Sequence, residues 1–268
     1  MTQEERNALQ RWAEHHKALA ADVPVEDWLS QSEIDKKRKK LEEDPIKWIK
    51  YFFPKYAKYE FAPFHVRAIK RVIEHDEWYE VLSWSRELAK STVAMFICMY
   101  LALTKRKRFF VLASATIDSA KRLLAPYKIN FESNPRIRQF YGSQVTLGQW
   151  TDGEFTAKCG AKFVALGAGS APRGARNEEV RPDVIYMDDY DTDEDCRNPE
   201  TLKKKWDWFE ASLYPTRSIS EPTLILWCGN IIAKDCCIKK AGAKARHWDI
   251  VNIRDKNGHS TWPAKNTE

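Results

Sequence analysis

To about Asp44, apolar residues fall at helical spacing: Leu9, Trp12 and Leu19, then Trp28, Leu29, Ile34 and Leu41. This spacing predicts helices and no strand. An aromatic-rich stretch follows, WIKYFFPKYAKYEFAPFHVRAIKRVIEH, interrupted by Pro54 and Pro63 before a helix from about Phe64 to His75. From Tyr79 onward, short apolar runs alternate with helical ones. YEVLSW (Tyr79 to Trp84) predicts a strand leading into an apolar helix, Thr92 to Leu103, and RFFVLAS (Arg108 to Ser114) a strand leading into a helix from Ile117 to about Glu132. Two βα units in succession predict a parallel sheet. Between Gln144 and Gly167, three short alternating runs with glycine turns predict an antiparallel meander. The glycine-rich GAGSAPRGARNEEVRPD then precedes the apolar strand VIYMDD, a Trp-rich helix from Pro199 to Tyr214, a buried strand in PTLILWCGN and a last strand in ARHWDIVNI. The polar DKNGHSTWPAKNTE is expected to fray, and no internal repeat is visible.

The expected fold class is therefore α/β: a mostly parallel twisted sheet with helices on both faces and an N-terminal helical extension. The expected organisation is an extension over 1–58, a core over 59–254, and a tail or linker over 255–268.

A chain of 268 residues, 43% hydrophobic and 12% aromatic, is long enough for one large α/β core. No run of about 18 apolar residues occurs, and the N-terminus MTQEERNALQRW is charged throughout, so neither a membrane span nor a signal peptide is expected. A soluble intracellular protein is the expectation. The six cysteines lack C-x-x-C spacing and the histidines form no H-E-x-x-H pattern, which favours reduced structural thiols over a zinc site. A net charge of +6 fits either a polyanionic partner or a solvated surface. The basic run KKRKKLEED, Lys36 to Asp44, likewise reads either as a solvated helix face with i,i+4 pairing or as a DNA or partner contact.

The candidate chemistry begins at WSRELAKST, Trp84 to Thr92. It ends like a phosphate-binding loop, with Lys followed by hydroxyl residues, and sits between a strand and a helix, but Trp84 and Ala89 occupy the places of the two usual glycines. In that context the helix N-terminus supplies N–H groups and positive dipole, Lys90 a cation for the β and γ phosphates, and Ser91 a hydroxyl ligand for Mg²⁺. A Mg²⁺-nucleotide site also needs a carboxylate at the end of a neighbouring apolar strand. Asp188, closing Val184-Ile185-Tyr186-Met187, meets that need by holding Mg²⁺ largely through water, while Asp189 would orient or deprotonate the attacking water. The opposing reading is an acidic loop that merely ends a strand, since DDYDTDEDC carries further carboxylates.

These residues carry a resemblance to the N-terminal ATPase domain of tailed-bacteriophage terminase large subunits, the motors that package DNA into proheads. SRELAKS fits the family's degenerate phosphate loop, S-R-x-[LGH]-[GA]-K-[ST]. FAPFH resembles its adenine-side segment, ASATIDSAKRLL its second strand–helix unit, PRGARNEEVRPDVIYMDD its R-G-x-R and Walker B block, and LILWCGNIIAKD its coupling motif. The likeness runs from about Phe61 to Asp235. It implies a P-loop NTPase core of the RecA-like (ASCE) class that binds ATP and Mg²⁺ and couples hydrolysis to translocation of double-stranded DNA. It also implies a portal protein and a small terminase subunit as partners, a homo-oligomeric ring when assembled and a monomer in isolation, no membrane partner, and residence in the cytoplasm of an infected host cell.

Residue by residue, the resemblance implies a nucleotide-binding loop of Ser85, Arg86, Glu87, Leu88, Ala89, Lys90, Ser91 and Thr92, with Mg²⁺ on Ser91 and Asp188. Arg86 would replace glycine backbone donors with a charged fork. Phe61, Phe64 and His65 would face adenine or belong to the core. Asn230 would sense the γ phosphate or simply end a turn. Arg173 and Arg176 would complete a neighbouring subunit's site or contact DNA, with Arg136 and Arg138 as weaker rivals. Two departures stand out: many relatives have Glu where this chain has Asp189, leaving Asp191 and Glu194 as rival bases, and relatives continue into an RNase H-like nuclease beyond the point where this sequence stops. No nuclease activity is expected of this chain. A helicase-like nucleic-acid-dependent ATPase and a nucleotide-binding scaffold without turnover are the competing functions.

Overall fold

The structure, a computed structural model, describes residues 24–172 and 180–266. A short helix pair opens it. Helix α1 (Gln31–Glu42) starts at a capping box, Ser30 with Glu33 three residues on, and α2 (Pro45–Phe52) starts at Asp44, whose carboxylate accepts from the Ile46 and Lys47 amides. Within the basic run of α1, Lys37 pairs with Glu26, and Arg38 pairs with Asp35 while donating to the Phe140 carbonyl; Lys36, Lys39 and Lys40 are exposed.

The core then alternates as the sequence predicts. Helix α3 (Pro63–Glu74) leads to β1 (Trp78–Trp84), α4 (Lys90–Leu103), β2 (Phe109–Ser114), α5 (Ile117–Ser133) and α6 (Pro135–Tyr141). After β3 (Glu154–Thr156) and β4 (Lys162–Gly167) come β5 (Val184–Asp188), α7 (Asp193–Arg197), α8 (Pro199–Trp208), β6 (Leu224–Cys228), α9 (Cys237–Lys244) and β7 (His247–Val251). Seven strands form one sheet in the order β3-β4-β2-β5-β6-β1-β7, parallel except for the antiparallel β3.

Both faces of the sheet are covered, which is why its central strands run apolar on both faces rather than at alternate positions, up to polar residues such as Ser114 and Asp188 at their carboxyl ends. Side chains alternate across each strand. Leu82, Phe110, Leu112, Tyr186 and Leu226 enter the layer with α2, α3, α4 and α5, whereas Val81, Val111, Ile185, Met187 and Trp227 enter the layer with α8 and α9. Helix α4 is buried along nearly its whole length, as expected of a helix apolar on every side.

Three local expectations are corrected. The meander between Gln144 and Gly167 is only a β3–β4 hairpin with one further bridge, Trp150 to Phe155, because β4 is recruited in parallel beside β2, where Phe163 stacks on Phe110 at 4.4 Å. The first of the three runs is not a strand: the Gln144 side chain bonds the Tyr141 carbonyl and the Cys159 amide and pins a loop instead. The helix expected to Tyr214 is α-helical only to Trp208, then widens to a π-turn (Phe209–Leu213) and tightens to a 3₁₀ turn (Tyr214–Thr216) containing Pro215, which has no N–H to extend the ladder. Finally, the segment expected to fray stays exposed over 255–259 but is anchored further on, at Trp262 and Lys265. Trp262 is buried and donates from Nε1 to the Glu60 carbonyl at 2.7 Å.

Gly167, where β4 meets the start of α5, is set by close approach. A Cβ there would lie 2.5 Å from the Ile117 amide nitrogen, a backbone atom that cannot swing aside. Gly167→Ala should therefore lower stability by roughly 1–3 kcal/mol, read as a shifted urea midpoint with unchanged slope; an unshifted midpoint would show that the two backbones are not in contact.

Candidate functional site

In a parallel sheet the carboxyl ends of the strands share one edge. Here that edge carries the turn after β1, the Asp188 end of β5 and the Gly229-Asn230 turn after β6, the strand that lies between the other two. The register places Leu82 of β1 and Asp188 of β5 both opposite Cys228 of β6, so the three turns are neighbours.

The turn after β1 is tight although it has no glycine. Trp84 is fully buried, the Ser85 amide is held by the Val251 carbonyl at 2.8 Å, and Glu87 and Ala89 both take left-handed backbone angles, φ 70° and φ 58°. For a non-glycine residue each such angle costs roughly 1–2 kcal/mol. Ala89 is the N-cap of α4 and offers no side-chain acceptor. The other helix starts in this region are filled, α5 by Thr116 and α9 by Asp191. Lys90, the first residue of α4, is buried, and its Nζ lies 3.4 Å from the Asn230 Oδ1. Ser91 and Thr92 are half-buried, and Arg86 is exposed and, among the described residues, forms no ion pair.

Asp188 is the most perturbed carboxylate of the edge. Burial first, and then the charge of Asp189, push its pKa up to about 7, against the opposing pull of the Ser91 and Tyr186 hydroxyls and Lys90. Those hydroxyls are near enough to favour the ionised form, yet Oδ1 itself is buried without a hydrogen-bond partner. A buried carboxylate oxygen lacking a donor, beside a serine hydroxyl, offers oxygen ligands of the kind a hard divalent cation takes, while the Lys90 ammonium, itself a cation, is not one of them. Ser91 and Asp188 thus fit Mg²⁺.

The sequence candidates sort clearly. Lys90, Ser91, Asp188 and Asn230 come together. Asp189 is exposed at the strand end with φ 40°, its amide bound to the Cys228 carbonyl. Asp191 is committed elsewhere, accepting from the Cys237 and Ile238 amides at 2.8 and 2.9 Å as the cap of α9. Glu194 sits on α7 beside a cleft lined by Thr116, Gly169, Lys204 and Trp208. Arg136 is likewise occupied, by the Pro24 and Tyr51 carbonyls and the Tyr51 ring. Arg173 and Arg176 lie outside the described residues.

Phe64 and His65 do not offer a base-binding surface. Phe64 packs edge-on against Trp84, and His65 is wholly buried, its Nδ1 accepting from the Ala62 amide and its Nε2 donating to the Leu88 carbonyl at 2.9 Å. They support the turn from behind. Lys265 and Trp262, from the polar segment after β7, add to this support: Lys265 donates to the Glu87 carbonyl at 2.7 Å and Trp262 packs on His65. The one signal in the sequence was a tryptophan in an otherwise polar segment.

No family model and no curated protein matches the chain. Five chains of solved structures do. One, described as "The Phi-28 gp11 DNA packaging Motor", is 10% identical with a TM-score of 0.33, over 70% of this chain and 59% of that one. This chain thus spans 59% of that chain's length. A TM-score this low carries no weight for either fold or activity.

His65 makes the site pH-sensitive. Burial is the largest cause that lowers its pKa from 6.5 to about 4, so the folded protein refuses a proton that the unfolded chain accepts in between. A depressed folded value means stability is whole above pH 6.5 and is lost as pH falls toward 4, by roughly 3 kcal/mol in all. Urea unfolding at pH 7 and 4.5 should show the wild type losing more stability than His65→Asn, which starts lower but lacks this proton. Equal losses would mean His65 titrates normally.

Proposed function

We propose that this chain is a Mg²⁺-dependent ATP hydrolase of the P-loop type, acting as the ATPase domain of a terminase-like DNA-packaging motor. The observation that carries the reading is the meeting of Lys90, Ser91, Asp188 and Asn230 at one sheet edge, with a buried carboxylate oxygen left without a partner. The ordered motifs from FAPFH to LILWCGN support the narrower assignment to a packaging motor, with double-stranded DNA, portal protein and small subunit as partners.

In this reading each group has a task set by its surroundings. Lys90 is held in a low-dielectric position where its charge acts strongly on a phosphate. Asn230 keeps it aimed in the free protein and takes up the γ phosphate when that arrives. Ser91 and Asp188 would hold Mg²⁺, which when bound would supply positive charge to offset that of the phosphates. Exposed Asp189, next to Asp188, is the base for water, since Asp191 is spent on α9 and Glu194 lies on α7 beside a different cleft. Arg86, free at the surface of the turn, closes on the γ phosphate.

The division of labour predicts distinct kinetic signatures. Lys90→Ala should abolish ATP turnover. Asp188→Asn should raise the Mg²⁺-ATP concentration needed for binding, whereas Asp189→Asn should bind nearly as wild type and turn over at least about a hundredfold more slowly, the usual contribution of a general base. Phosphate-release assays paired with fluorescent-nucleotide titrations separate these outcomes; undiminished turnover in Lys90→Ala would remove the loop from the mechanism.

A further inference from the structure

A loop without glycine must be kept in its left-handed turns by something other than its own sequence. Two donors perform that work. On the buried side, the His65 Nε2–H holds the Leu88 carbonyl at 2.9 Å. The tautomer follows from the other ring nitrogen, which accepts from the Ala62 amide at 3.1 Å, and the ring is clamped between Phe64, Trp84 and Trp262. On the outer side, the Lys265 Nζ holds the Glu87 carbonyl at 2.7 Å and lies 3.6 Å from the Glu87 carboxylate. Lys265 is itself set by its position over the Trp262 ring, and Trp262 by its bond to the Glu60 carbonyl. The two carbonyls so held belong to consecutive residues, and the strained residues Glu87 and Ala89 flank Leu88.

The consequence follows from peptide geometry. A trans peptide points its N–H opposite to the preceding carbonyl, and no peptide in the described chain is cis. Holding the Leu88 carbonyl on buried His65 therefore aims the Ala89 N–H away from the interior, and both carbonyls, which would repel a phosphate, are already taken.

We propose that His65 and Lys265 are positioning residues of the phosphate loop, imposing from two outside elements the backbone shape that glycines impose in other loops. The proposal rests on the nucleotide-site reading above. Lys265 belongs to the segment after β7, so the binding competence of the loop is tied to the docking of that segment through Trp262.

The test is rescue by glycine. In Lys265→Ala the turn relaxes from its left-handed angles, and nucleotide must restore them on binding. Affinity for a fluorescent ADP analogue with Mg²⁺ should fall about tenfold, the order expected when the competent state becomes a minor one, with the thermal midpoint unchanged. Lys265→Arg, which keeps a donor for the Glu87 carbonyl, should bind as wild type. Adding Glu87→Gly to Lys265→Ala should recover most of the lost affinity, since glycine occupies the left-handed region without cost. Hydrogen exchange of the peptide spanning residues 85–92, measured without nucleotide, should quicken in Lys265→Ala. Wild-type affinity and exchange in Lys265→Ala would overturn the proposal, as would a loss of affinity that accompanies general destabilisation and is not rescued by Glu87→Gly. A wild-type protein that binds no nucleotide at all would instead overturn the nucleotide reading, and the exchange measurement would still decide whether Lys265 holds the turn.

Discussion

The turn between β1 and α4 holds two non-glycine residues in left-handed backbone, and the rest of the candidate site depends on that turn staying closed. If it opened, Lys90 would leave the buried position next to Asn230, and the unfilled start of α4 would no longer face the Asp188 end of β5. Strain of this kind persists only where surrounding contacts over-determine it. Here they come from three directions: the sheet, through the Ser85 amide and the Val251 carbonyl; the α3 layer, through His65; and the segment after β7, through Lys265. All three anchors act on backbone, which leaves the side chains of Arg86, Lys90 and Ser91 for other work.

The sheet adds the electrostatic half of the arrangement. With β6 between β1 and β5, the adjacent Lys90 and Ser91 and the sequence-distant Asp188 converge at one edge. Burial raises the pKa of Asp188, and its exposed neighbour Asp189 raises it further. The free site therefore carries a buried carboxyl group that holds its proton more strongly than usual and has one oxygen without a partner, which a bound cation would favour in its ionised form. Burying such a group without a partner detracts from stability, which argues for a role other than folding.

Much of this was legible in the sequence because parallel strands buried on both faces leave unbroken apolar runs, as in VIYMD and LILWC. The edge residues Lys90, Ser91, Asp188 and Asn230 were legible because each directly follows, or closes, such a run or the turn after it. The anchors were not. His65 and Phe64 stand in an aromatic-rich segment whose composition suits a base-binding surface and a core equally, and only burial separates the two. Lys265 lies 178 positions from Glu87 in sequence, in a polar stretch with no periodicity, so nothing local announced the contact. The same holds for Asp191, whose part in starting α9 is invisible until the two segments meet.

The most direct measurement is a crystal structure of the protein with Mg²⁺ and a non-hydrolysable ATP analogue. The account predicts the β and γ phosphates against the N-terminus of α4, with the Lys90 Nζ moved from Asn230 onto a phosphate oxygen, the cation between Ser91 and Asp188, and the Glu87 and Leu88 carbonyls still held by Lys265 and His65. Nucleotide bound elsewhere, or Lys90 still on Asn230 with the loop empty at saturating ligand, would contradict it.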